Sequence, residues 1–325
     1  PVSNASMYDG ASAAAEAALL AVRHTGRDKV TVSAGVHPQT REVLHTYLQP
    51  LDIEIVTVPL TGDLTTPDPQ LAGDSACFIA QQPNFLGYLE RMEEFAAAAN
   101  DNGSLFIAVV DPLSLALLRP PGEYGAQVAV GDGQRFGNSL SFGGPHFGFM
   151  VVTEELLRQL PGRIVGETTD VDGRRAFVLT LQAREQHIRR SRAKSNICSN
   201  HQLTALLTAV HLSALGPRGL QEVAKGAVAN AHALAEQLAG AGFEVHRRAR
   251  FFNEFTVSVP RPARQVTAEL AAQGVQAGTV VDPEYGLGEA ILLGATELTT
   301  PGERDALVAA LRNACGREAV AGGVR

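Results

Sequence analysis

The chain of 325 residues has a formal net charge of −7, with 45% of its residues apolar and 19% charged; this is the balance of a globular protein, not of a disordered or membrane one. The acidic balance argues against nucleic acid or an anionic membrane as the main partner, and no apolar run approaches the ~20 residues of a spanning helix. Cys77, Cys198 and Cys315 lie far apart with no C-x-x-C pair, and PVSNASMYDG is no secretory signal, so reduced thiols in a cytoplasm are expected.

In chain order, Asp9–His24 reads as a helix, capped by Ser6 or Asp9 and carried on by Ala11, Ala13, Ala14, Ala15, Ala17 and Ala18. The start of that helix, Ser6–Ser12, offers backbone N–H groups and hydroxyls suited to a phosphate, although simple capping explains the same residues. Val30–Ser33, Ile53–Val58, Ala76–Ala80 and Leu105–Val110 read as buried strands, with helices over Thr40–Leu48 and Leu89–Asn100. Such alternation implies right-handed βαβ units and a parallel sheet, whose ligands sit beyond the carboxyl ends of the strands. His37, Gln82, Asn84 and Asp111 all fall there. Each alone is as readily a turn former or a helix cap; together they mark a candidate pocket.

Asp111 opens the stretch on which the functional reading turns. After a further strand, Ala126–Val130, comes GDGQRFGNSLSFGGPHFGFM. A strand ending in Asp, a second strand and a lysine beyond it are the layout that holds pyridoxal phosphate: the Asp supports the pyridinium nitrogen and the lysine carries the cofactor. Gln134 and Arg135 stand where the lysine would be, and the chain's lysines are Lys29, Lys194 and Lys225 alone. The expectation is the body of such an enzyme without its reactive centre. Ser12, His37, Asp111 and Gln134 form a degenerate pocket, with no catalytic residue and no metal ligand. The loop's glycines match neither a Walker loop nor a dinucleotide fingerprint. Interleaved with Phe136, Phe142, Phe147 and Phe149, they suggest a packed interface.

A strand at Phe149–Thr153, a short helix at Glu154–Leu160, a hairpin or loop over Gly166–Arg175 and a strand at Phe177–Leu181 follow. The charged run of Arg184, Glu185, His187, Arg189, Arg190, Arg192 and Lys194 reads as a solvated helix face or as a docking surface for carboxylates. Asn200–Leu215 reads as an apolar helix ended by Gly216-Pro217, and Leu220–Ala241 as a connector. Beyond it Phe243–His246, Glu254–Val259, Ala290–Leu293 and helices over Val266–Gln273 and Pro301–Cys315 make a small α+β unit, with a tail that frays. The expected division is a large domain over 1–215, a connecting helix over 216–242 and a small C-terminal domain over 243–325.

REQHIRR at Arg184–Arg190, followed by SNIC at Ser195–Cys198, resembles the glycine-cleavage-system P-protein family. So do Asn4-Ala5-Ser6, HPQT at His37–Thr40, RPPGE at Arg119–Glu123, QRFG at Gln134–Gly137, GGPH at Gly143–His146 and PGR at Pro161–Arg163. The resemblance implies an α/β fold of the PLP-dependent transferase fold type I, a large domain with a mostly parallel sheet and a small C-terminal α+β domain. It implies two homologous halves, one holding pyridoxal phosphate on a lysine in a His-Lys-Thr motif and one degenerate. This chain is similar to the degenerate half, as subunit 1 of a two-subunit form whose lysine-bearing subunit 2 completes an α2β2 assembly. In that family glycine loses CO2 and its aminomethyl group passes to the lipoyl arm of the H-protein. The role implied here is non-catalytic support of subunit 2, which would hold the cofactor. Arg135, Phe136, Gly143, Gly144, His146, Arg184, Arg189, Arg190 and Asn196 would then face the partners. Family members carry a longer segment before Asn4, which implies a truncated chain. The alternatives are an autonomous fold-type-I PLP enzyme working through Lys194, or a non-enzymatic scaffold of the same fold. A Schiff-base lysine needs a positioned, desolvated amine, and Lys194 lies in the charged run.

Overall fold

Leu105–Val110 is buried at every position, as a parallel strand covered on both faces must be. Around it the chain was resolved as a computed structural model that describes residues 1–4, 6–66, 73–198, 200–246 and 249–316. The tail expected to fray lies outside the described residues from position 317 on.

The first elements are β1 (Val2–Ser3), α1 (Gly10–Thr25), β2 (Lys29–Ser33), α2 (Pro38–Leu48), β3 (Glu54–Val58), β4 (Leu60–Thr61) and β5 (Leu64–Thr65). Next come β6 (Cys77–Gln82), α3 (Met92–Asp101), β7 (Leu105–Val110), β8 (Val128–Asp132), β9 (Gly148–Val152), β10 (Ile164–Thr169) and β11 (Arg175–Thr180). The last are α4 (Gln186–Arg189), the long helical run α5 (Gln202–Gly240), β12 (Glu244–Val245), β13 (Glu254–Ser258), α6 (Ala263–Ala272), β14 (Thr279–Val280), β15 (Ala290–Gly294) and α7 (Pro301–Ala314). They fall into two compact units. One comprises Pro1–Pro59, Thr65–Gln82 and Glu90–Pro217; the other comprises Leu60–Leu64, Pro83–Leu89 and Arg218–Arg325.

The first unit is built on a seven-stranded sheet in the order β1-β9-β8-β7-β6-β2-β3. Strands β3, β2, β6, β7 and β8 run parallel, while β9 is antiparallel to both β8 and β1. The carboxyl ends of β2, β6, β7 and β8 therefore share one edge, and the reversed β9 brings its first residue, Gly148, opposite Asp132 at that edge. Helix α1 lies on the sheet through Ala13, Ala14, Ala17, Ala18 and Ala21, all fully buried. Methyl side chains let its backbone approach the strands closely while losing no side-chain entropy. Gly131 is a close-approach position of the same kind: a Cβ there would meet the Val110 carbonyl oxygen at 2.4 Å and the Phe149 ring at 2.7 Å.

The second unit carries the antiparallel sheet β12-β13-β15-β14, packed around Leu234, Leu238, Phe255, Val257, Ile291 and Leu311. Pro83–Leu89 folds with it. There Asn84 is buried and organises a turn: its Oδ1 accepts the N–H groups of Leu86 and Tyr88 at 3.0 and 3.1 Å, and its Nδ2 donates to the Asp63 carbonyl at 2.9 Å.

Several boundaries differ from the pattern reading. The helix expected from Leu89 starts at Met92, because the N–H of Leu89 is donated to the Arg250 carbonyl, outside any helix. The end expected at Gly216-Pro217 is present inside the run α5: Gly216, with φ 64° and ψ 177°, is not helical and separates two helices, and Pro217, which has no N–H to lose, can open the second one. The helix expected over Glu154–Leu160 is a single 3-10 turn, Glu154–Leu156. Strands β1 and β14, two residues each, are too short to leave a periodic signal.

The turn gives a test of what Asn84 is for. Asn84→Ala strands two buried N–H donors and is expected to cost about 2 kcal/mol or more in chemical denaturation. An undiminished stability would mean that the side chain serves something other than the turn.

Candidate functional site

At the carboxyl edge of the large sheet, Asp111 follows β7 directly. Its Oδ1 accepts the Leu113 N–H at 3.0 Å and its backbone carbonyl accepts the Ser114 hydroxyl at 2.7 Å, so the side chain is aimed by the turn that follows the strand. The Arg135 guanidinium, from the loop after β8, binds its Oδ2 in a short ion pair. Burial pushes the Asp111 carboxyl above the usual carboxylate range, while the charge of Arg135 and the Leu113 N–H hold it down.

A second carboxylate stands beside it. Asp132 ends β8; its Oδ1 accepts the Gln134 N–H at 2.9 Å, and its Oδ2 accepts the Gly10 N–H at 3.3 Å and lies 3.0 Å from His146 Nδ1. Gln134 turns its own amide to the Pro145 carbonyl at 3.3 Å. His201 Nδ1 hydrogen-bonds the His146 carbonyl, and the Tyr8 ring meets His201 edge-on. At the start of α1, Ser12 is used by a capping box: its N–H goes to Asp9 Oδ1 at 2.7 Å and its hydroxyl accepts the Asp9 N–H at 3.2 Å. His37 caps α2, its Nδ1 accepting the Gln39 N–H at 3.2 Å, while its own N–H reaches Gln81 Oε1 at 2.9 Å. Burial and then Arg41 keep the His37 imidazole below its ordinary pKa.

Asp111 and Arg135 are thus brought together, and Gln134 and His146 meet through Asp132. Ser12 is engaged in its own helix, and Asn196 is exposed. Phe136 and Phe147 are buried, whereas Phe142 is fully exposed at a loop tip where it holds φ 60°. The charged run is not one helix: α4 is flanked by 3-10 turns at Gln182–Arg184 and Arg190–Arg192. Arg184 donates to the carbonyls of Leu181 and Gly162, and Arg189 to that of Ala183. Two of its guanidinium groups therefore hold irregular backbone in place. Exposed Gly143 and Arg190, and half-buried Gly144, lie on the surface of these segments.

The residues do not fit pyridoxal phosphate. Lys29 opens β2, at the far edge of the sheet, and its Nζ lies 2.7 Å from Asp74. Lys194 donates to the Arg158 carbonyl at 3.0 Å and to Gln159 Oε1 at 2.7 Å, and Lys225 is in the second unit. Asp111, the carboxylate that the sequence pattern offers to a pyridinium nitrogen, already holds a guanidinium.

One helix face is inverted. In α5, Thr204 and Thr208 are buried, and the Thr208 hydroxyl donates to the Phe136 carbonyl at 2.9 Å. Leu203, Leu206, Leu207 and Val210 form the opposite stripe and are 72%, 58%, 47% and 62% exposed. Spacing of i, i+3, i+4 and i+7 is the pattern of a face made to be covered. Among the described residues, strands β10 and β11 pair only with each other and show Val165, Phe177, Val178 and Leu179 to solvent; a lone two-stranded ribbon is at best marginally stable in water.

A family model described as "Glycine cleavage system P-protein" matches residues 1–311. The chain belongs to that P-protein family. Among relatives, a protein of Carboxydothermus hydrogenoformans named "Probable glycine dehydrogenase (decarboxylating) subunit 1" is 47% identical over 314 residues, 95% of this chain and 70% of the relative. One of Moorella thermoacetica with the same name is 49% identical over 316 residues, 96% and 71% of the two chains. A crystal structure titled as the inhibitor-bound glycine decarboxylase (P-protein) of the glycine cleavage system superposes with a TM-score of 0.94 at 50% identity, covering 97% of this chain and 72% of that one. Mouse CSAD (TM-score 0.70, 14% identity, 94% and 70% covered) and a cysteine desulfurase of Thermococcus onnurineus (0.68, 14%, 97% and 79%) share the fold alone. The resemblance carried by REQHIRR and SNIC is confirmed, and with it the PLP-dependent transferase fold type I.

In this P-protein chain, sequence reasoning passed over Asp132, His201, Thr204 and Thr208. The signal for Asp132 was present: like Asp111, it is an Asp closing an apolar strand at the same edge of a parallel sheet. For the threonines it was the helical period, which sets Thr204 and Thr208 against the leucines.

Arg135→Ala leaves Asp111 without its cation. The folded-state pKa of Asp111 already stands above its ordinary value, so ionisation there weighs against folding, and the substitution raises it further. A loss of about 1–3 kcal/mol at neutral pH is expected, because the paired side chains are only partly open to water, at 29% and 23% exposure. The deficit should shrink as pH falls through the raised Asp111 pKa, read by urea denaturation across pH.

Proposed function

We propose that this chain is the supporting subunit of a glycine-decarboxylating enzyme, working with a homologous subunit that holds pyridoxal phosphate on its own lysine. Arg135 carries this reading. A cation fixed on Asp111 repels a pyridinium nitrogen and removes the carboxylate that would keep it protonated. The relatives named as subunit 1 of glycine dehydrogenase supply the reaction, decarboxylation of glycine, and imply a second subunit. Transfer of the aminomethyl group to the lipoyl arm of an H-protein belongs to the same reading, as does an α2β2 assembly in the cytoplasm.

The chain's own residues contribute surface and rigidity. The Leu203–Val210 stripe, the β10–β11 ribbon and the Leu140–Phe142 loop tip are the apolar areas a partner subunit would cover, since exposed apolar patches of this kind mark interaction sites. The inward donation by Arg184 and Arg189 keeps the REQHIRR segment in one shape beside them. Lys194 supports no rival cofactor role: burial and the nearby charges of Arg23, Arg184 and Arg189 lower its pKa, but its ammonium donates to backbone and amide oxygens of the Arg158–Gln159 turn.

Alone, the chain is expected to give no exchange of the glycine carboxyl group with CO2, and to do so once the lysine-bearing subunit and H-protein are added. Exchange by the isolated chain overturns the reading. Leu207→Asp together with Val210→Asp, both on the exposed stripe, should weaken assembly roughly tenfold or more while circular dichroism of the single chain stays unchanged. Sedimentation of the mixed subunits reads the difference.

A further inference from the structure

The start of α1 points at the carboxyl edge of the sheet, and a helix start there ordinarily attracts an anion through its free N–H groups and dipole. In this chain the anion is internal. The Gly10 N–H is donated to Asp132 Oδ2, from a strand 122 residues further on. The Ser12 N–H goes to Asp9 Oδ1 and the Ala13 N–H to the Asp9 carbonyl. Space is filled as well. A Cβ on Gly10 would lie 3.1 Å from the Asp132 nitrogen and from the Gly131 carbonyl carbon, and one on Gly148 would lie 2.1 Å from the Asp9 carbonyl oxygen. The helix start rests directly on β8 and β9.

We propose that Asp132 is a built-in counter-anion that closes the anion seat of this pocket, as Arg135 closes its cation seat on Asp111, so that the fold needs no phosphate-bearing ligand. Asp132 is held in that post from three sides: by the Gly10 N–H, by the Gln134 N–H and by His146. His146 is fixed in turn through its carbonyl by His201. The two charges that a phosphorylated pyridine would bring, anionic at one end and cationic at the other, are both already supplied by the chain. The inference rests on the reading that this subunit does not carry the cofactor, and it adds the means by which the pocket does without one.

The test compares the full chain with Asp132→Ala and Asp132→Asn. Thermal unfolding is followed during titration with inorganic phosphate, against chloride at matched ionic strength; retention of pyridoxal phosphate and of pyridoxal is followed by equilibrium dialysis. The wild type should show no phosphate-specific rise in Tm and no phosphate-dependent retention of the pyridine. Asp132→Ala should unfold at lower temperature, regain stability with phosphate but not with chloride, and bind phosphate at least tenfold more tightly than the wild type. Should Asp132→Ala fail to fold, Asp132→Asn, which keeps the shape and removes the charge, carries the same comparison. A wild type stabilised by phosphate, or variants that respond as the wild type does, overturns the proposal. Borohydride reduction followed by mass measurement separates this outcome from failure of the subunit reading. A stoichiometric pyridoxyl adduct on a lysine of the wild-type chain sinks that reading, whereas phosphate-dependent retention without an adduct sinks only the role of Asp132.

Discussion

The pairing of Asp111 with Arg135 neutralises the charge at the carboxyl end of the central strand, and the proposed function rests on it. A carboxylate at the end of a buried strand has lost much of its hydration, and something must compensate its charge. In fold-type-I enzymes a cofactor cation is suited to that task. Here a guanidinium from the neighbouring strand's loop performs it. The pair leaves the sheet, the turn after β7 and the packing of α1 intact, and on the reading proposed above it takes the place of a cofactor cation.

Much of that scaffold was legible because burial on both faces leaves a plain mark. Leu105–Val110 is an unbroken apolar run, and its boundaries in the structure are those its composition suggests. The alternation with Ala-rich helices pointed to parallel connections, and the sheet is parallel from β3 to β8. The short pieces were not legible. A two-residue strand such as Val2–Ser3 is defined by the register of β9, which lies almost 150 residues away, and no local pattern encodes it. The start of α3 was misplaced for a similar reason: a distant carbonyl, that of Arg250, claims the backbone of Leu89.

The site was legible in its residue types and not in its pairings. The missing lysine and the presence of Gln134 and Arg135 could be read directly. That Arg135 would turn back onto Asp111 could not, because it depends on β7 and β8 lying side by side with their ends level. The charged run was ambiguous for a physical reason. A guanidinium can satisfy buried carbonyls while its edge remains wet, so Arg184 can serve the fold and still lie beside solvent. The inverted face of α5 was hidden by counting the helix as apolar overall, when what matters is that threonines face inward and leucines outward.

That inversion bears on how the chain is made. A helix whose apolar stripe is finished by another molecule ties the stability of one product to the amount of the other, by mass action. On the proposed reading, copies without a partner leave Leu203 and Val210 uncovered. On that same reading, matched output of the two subunits would then protect this one by mass action.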